Sequence, residues 1–175
     1  PEIKDMYDLS NALYGFALIA FPIGGVVAGP LPAPILRRFG TARVAVVGSI
    51  LLATAVFVAG SVPPVAVFWI GLFVAGMLDA LVDTAQNAQG LRVQRLAGTS
   101  IINSMHALWS VGAVIGGLMG TAAAAMNLPL PWHFLISGVI FAAVAAFAMR
   151  WAVPDDHAEP AATQAENAPL ATAGI

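Results

Sequence analysis

Five long runs of apolar residues, separated by short joints rich in glycine and proline, set the pattern of this chain. They cover roughly residues 9–31, 42–60, 65–87, 104–126 and 132–152. Each is long enough to cross the ~30 Å of hydrocarbon in a bilayer as a helix rising ~1.5 Å per residue. The runs are continuous rather than alternating, which argues against a membrane barrel. Prolines stop helices, so Pro30 to Pro34, Pro63-Pro64 and Pro129 to Pro131 mark believable boundaries. The predicted fold is an all-α membrane protein with five spans.

Composition strengthens this picture. Only 9% of the 175 residues are charged and 59% are hydrophobic, whereas a soluble domain carries about a quarter charged residues. A net charge of −2 and the lack of a basic tract argue against a nucleic-acid partner. Without cysteine there is no disulfide and no thiolate metal site.

Charge also gives an orientation. Arg37, Arg38 and Arg43 follow the first run, Arg92 and Arg95 follow the third, and Arg150 closes the fifth. All six arginines therefore fall on one side, and the positive-inside rule makes that side cytoplasmic. Trp132 and Trp151 bracket the fifth run as interfacial anchors. The start Pro1-Glu2-Ile3-Lys4-Asp5 has neither Met nor a basic signal region, and the polar, acidic stretch 154–175 reads as a disordered linker. Together they suggest a segment of a longer bacterial inner-membrane protein with a cytoplasmic tail.

The candidate chemistry sits in the third run. Asp79 and Asp83 lie one helical turn apart in an otherwise apolar stretch. An ionised carboxylate in hydrocarbon costs several kcal/mol unless it has a partner, a proton or a water-filled cavity. With Asp79 at zero, Asp83 falls at about +40°, Gln86 at about −20° and Asn87 at about +80° on a helical wheel. A polar stripe of this kind faces a bundle interior or a solute path. Asp83 and Asp79 are thus proton-coupling candidates, with Gln86 and Asn87 as cavity neighbours. The structural alternative has Asp83 locking helices together by pairing with Arg38 or Arg95.

The fourth run adds His106, Trp109 and Ser110, which share one helix face. His106 could relay protons or bind solute, and Trp109 could stack on a ligand; both are equally at home at a membrane interface. His133 and His157 are read as bland, and a single His without a second ligand is no metal site. Gly25 and Gly29, and the series Gly112, Gly116 and Gly120, have the four-residue spacing that lets membrane helices approach closely. No nucleotide loop, nucleophile elbow or metal helix occurs, so neither an enzyme nor a cofactor is expected.

Taken together, these features resemble the N-terminal half of a major facilitator superfamily transporter. The joint Ala33-Pro-Ile-Leu-Arg37-Arg38-Phe39-Gly40-Thr41-Ala42-Arg43 is similar to the family's cytoplasmic loop signature Gly-x-x-x-Asp-Arg-x-Gly-Arg-Lys. Arg38 and Gly40 match and Arg43 extends the basic end, while Ala33 and Arg37 replace the first Gly and the Asp. Asp83-Thr84-Ala85-Gln86-Asn87 resembles the acid-Thr-Ala-x-Asn stretch of the fucose-permease-like branch, and Trp109-Ser110-Val111-Gly112 resembles its Ser-x-Gly. The resemblance implies five helices of a six-helix half-bundle, with the first helix before Pro1 and the second half after Ile175. It also implies proton coupling at Asp83 and alternating access for a small polar, sugar-like solute. The alternatives are a drug or metabolite exporter of the same family, or a five-span scaffold without transport of its own.

Overall fold

A computed structural model describes Lys4 and residues 6–154. The stretch expected to be a linker, His157 included, lies outside the described residues from 155 onward. Helices α1 (Asn11–Leu18), α2 (Ala20–Ala28), α3 (Pro32–Phe39), α4 (Thr41–Ser61), α5 (Val65–Ala97), α6 (Ile102–Ala125) and α7 (Leu130–Ala148) follow in order, and a 3-10 turn at Met149–Trp151 closes the last. Five helical units are long and apolar enough to cross a membrane, the first of them α1 and α2 together.

Two predicted boundaries move. The first run breaks at Ile19 into α1 and α2, and the joint after it forms the separate amphipathic helix α3, with Arg37 and Arg38 in its last turn. The third span continues ten residues past Asn87, because good helix formers follow it until Gly98 adopts φ 66° and caps the helix. At ~1.5 Å per residue, 33 residues give about 50 Å. The helix therefore outruns the hydrocarbon and carries Arg92 and Arg95 beyond it. Gly40 likewise sits at φ 84°, which accounts for a glycine between α3 and α4.

The packing centres on α5. Its most extensive contacts are with α4, then α2, while α7 packs mainly on α4. Small residues allow this. A Cβ added to Gly24 would fall on the Phe73 carbonyl, and one added to Gly76 on the Phe21 carbonyl, so α2 and α5 meet backbone to backbone. The tight contact thus falls at Gly24, one residue before the predicted Gly25, whose Cβ would make only ordinary contact with the Gly76 carbonyl. At Gly29 the nearest group is the carbonyl of Val26 in the preceding turn. Gly112, Gly116 and Gly120 meet nothing within 4 Å among the described residues.

Each end of the bundle has its own fastening. At the end away from the arginines, Tyr14 stacks on Phe68, Tyr7 packs beside it, and the Tyr7 hydroxyl donates to the Val62 carbonyl (3.1 Å). At the arginine end, the Gln89 amide donates to Thr41 Oγ1 (2.6 Å) and to the Val153 carbonyl (3.1 Å). It thereby ties α5 to the start of α4 and to the exit of the last span. Each such bond contributes about 1 kcal/mol. Gln89→Leu should therefore lower unfolding stability by about 2 kcal/mol, which denaturation of the purified protein in detergent can check.

Candidate functional site

α5 carries the carboxylate pair. Asp79, Asp83 and Gln86 are exposed on it and Asn87 is half-buried, so the predicted stripe exists as a surface of the bundle. The two carboxylates, one turn apart, repel each other. Among the described residues neither has a hydrogen-bond or ion-pair partner. Arg38 instead lies over the Phe39 ring (5.5 Å), and Arg95 stands in the last turn of α5. The structural alternative, an Asp83 pair with either arginine, is not formed.

The neighbouring motif residues divide into two kinds. Thr84 Oγ1 donates to the Ala80 carbonyl (2.8 Å) and so serves its own helix. Ala85 is fully buried, which requires a small side chain there. Asp83 and Gln86, by contrast, project freely. The sequence Asp83-Thr84-Ala85-Gln86-Asn87 therefore alternates between holding the helix in place and presenting polar groups.

α6 starts beside α5 and then diverges. Gln94 Oε1 accepts the amide hydrogens of Ile101 (3.0 Å) and Ile102 (3.3 Å), capping the first turn of α6. Met105 packs where a Cβ on Gly90 would stand. Beyond that contact α6 is almost wholly uncovered: His106 is exposed and Trp109 is 71% exposed. The Ser110 hydroxyl returns to the His106 carbonyl (3.0 Å). The structure thus unites Asp79, Asp83 and Gln86 on one helix, and leaves His106 and Trp109 on a second helix that touches it only at its base.

Sequence reasoning did not single out Gln89, Thr41 or Gln94, each of which makes a cross-element hydrogen bond. A signal was present for Gln94, which lies four residues before the helix-stopping Gly98. Nothing local distinguishes Gln89 from the other polar groups of the same stretch.

A sequence model described as Major Facilitator Superfamily matches residues 1–174. The chain belongs to that superfamily. It is 29% identical over 139 residues to an uncharacterized transporter, y4wD, of Sinorhizobium fredii, covering 79% of this chain and 37% of that one. An uncharacterized MFS-type transporter of Yersinia pestis is 27% identical over 116 residues, 66% of this chain and 30% of that one. Multidrug resistance protein 2 of Bacillus subtilis is 23% identical over 145 residues, 82% and 36% of the two chains. The matches span about a third of the length of these relatives. No solved structure gives a significant match. This major facilitator chain is a multi-pass membrane protein of a transporter family, and membership points to transport rather than to an enzyme.

Proposed function

We propose that this chain forms helices two to six of the N-terminal half of a proton-coupled secondary transporter for a small polar, sugar-like solute. The first helix and the C-terminal half of the protein would complete the cavity. The observation that carries this reading is the unpartnered polar stripe of Asp79, Asp83 and Gln86 on a membrane-spanning helix. Carboxylates left unpaired in an apolar span are sustained by protons or by a water-filled path. Asp83 is the first candidate for the proton, as in the fucose-permease-like pattern it resembles, and Asp79 is the second. Gln86, Asn87, His106 and Trp109 supply hydrogen bonds and a stacking face for solute bound near the midplane. The arginine-rich end, Arg38 and Arg43 with the Gly40 turn, lies in the cytoplasm of a bacterial inner membrane. The test is uptake driven by an imposed pH gradient in vesicles holding the full-length protein, compared with the Asp83→Asn variant.

A second reading is export of drugs or metabolites. It is favoured by the similarity to the Bacillus subtilis protein named for multidrug resistance and by the uncovered indole of Trp109. Trp109 fluorescence distinguishes the two. Quenching by monosaccharides and not by lipophilic cations is the outcome expected of the polar-solute reading, and the reverse pattern is expected of an exporter.

A further inference from the structure

Two neighbouring cavities lie toward the arginine end of the bundle, and among the described residues neither Asp79 nor Asp83 lines them. The first, of about 370 Å³, lies between α4, α5, the start of α6 and α7 and is lined by Ala45, Val46, Met105, Ala148 and Trp151 among others. The second, of about 450 Å³, is lined by Arg38, Gly40 and Arg43 on one side and by the exit of the last span on the other. They share Ala42, Met149, Ala152 and Val153 in their linings, so they are adjacent parts of one groove-like face. Its two ends differ in chemistry.

The deep end is largely apolar, and Gln86 is its one polar side chain with no hydrogen-bond partner among the described residues. Its polar residues are Ser49, Gln86 and Gln89. The Ser49 hydroxyl is committed to the Ala45 carbonyl (2.7 Å), and the Gln89 amide nitrogen to Thr41 and Val153. From Ala42 to Ser49 this end runs about 10 Å along α4 at ~1.5 Å per residue. The outer end carries two exposed guanidinium groups, and among the described residues no carboxylate lines it. An apolar slot in a membrane-spanning bundle that leads to paired arginines at the water boundary is complementary to one molecule in its surroundings.

We propose that this groove binds an anionic phospholipid, with its phosphate between Arg38 and Arg43 and an acyl chain between α4 and α7. The lipid would lie against the joint where Gln89 ties together α4, α5 and the exit of the last span. The groove shares Gln86 with the polar stripe, but neither Asp79 nor Asp83 lines it among the described residues, and the proposal does not depend on proton coupling.

Trp151 lines the apolar end and serves as the reporter. Full-length protein in phosphatidylcholine nanodiscs would be titrated with brominated phosphatidylglycerol or brominated phosphatidylcholine. A Trp151→Phe control isolates the signal from the other tryptophans. The expected result is half-maximal quenching at a several-fold lower mole fraction of phosphatidylglycerol than of phosphatidylcholine. That preference should vanish in Arg38→Gln/Arg43→Gln, both exposed positions whose replacement leaves the core intact. Equal quenching by the two lipids, or a preference that survives the double substitution, would overturn the proposal. So would displacement of the brominated lipid by inorganic phosphate alone, since that outcome requires no acyl chain. A preference seen only after Asp155 and Asp156 are replaced by Asn would assign the arginines to the chain's own acidic segment instead.

Discussion

Replacing Asp83 with Asn in the full-length transporter is expected to reduce pH-gradient-driven uptake by about tenfold or more, the effect of ~1.4 kcal/mol or more on the rate-limiting barrier. Asn keeps the size and polarity of the side chain but cannot take up or release a proton. Solute binding and solute-for-solute exchange should persist, because Gln86, Asn87 and the α6 side chains are untouched. The split between the two readouts carries the information. A variant that had merely failed to fold would lose both. Thr84 and Ala85, which fix the helix beside Asp83, are unchanged, and the exposed position of Asp83 makes a folding defect an unfavoured outcome. Asp79→Asn serves as the internal comparison. If Asp83 is the proton site, the Asp79 variant retains gradient-driven uptake with altered apparent affinity, since removing one of two repelling carboxylates changes the field at the other.

The second large effect is structural. Gly76→Val should destabilise the bundle strongly, and Gly24→Val should do the same. Both glycines are buried where α2 and α5 touch backbone to backbone, and an added side chain would meet a carbonyl group that cannot rotate aside. Overpacking of this kind costs about 1–3 kcal/mol when a side chain can yield, and more is expected where the obstacle is main chain. Gly25→Ala is the matched control, because its Cβ would stand in ordinary contact at 3.6 Å from the Gly76 carbonyl. Thermal unfolding of the purified protein in detergent would rank the three. Gly25→Ala should melt close to the parent protein and the two valine variants many degrees lower.

The hydrophobic pattern disclosed the five spans because a bilayer demands about twenty apolar residues whatever the tertiary contacts are. It did less well at the ends. α5 continues past Asn87 because Gln89, Gln94 and the arginines favour helix once they leave the hydrocarbon, and hydropathy does not register a helix in water. The carboxylate stripe was legible because Asp79, Asp83 and Gln86 lie within two turns of one helix, where spacing alone fixes the face. The relation of His106 and Trp109 to that stripe was not legible, since it depends on how far α6 diverges after Met105. Nor was the choice of Gly24 over Gly25, because a one-residue shift in a contact between two apolar helices leaves no trace in composition. The clip made by Gln89 needed three elements that are distant in sequence to come together.

The most direct test of the account is proton movement that depends on solute. Full-length protein would be placed in lightly buffered proteoliposomes with no imposed gradient, and external pH would be followed as neutral monosaccharides are added. Proton-coupled entry would alkalinise the medium with at least one sugar, and the Asp83→Asn protein would give no such change. Sugar entry without any pH change, at a rate indifferent to added protonophore, would contradict it.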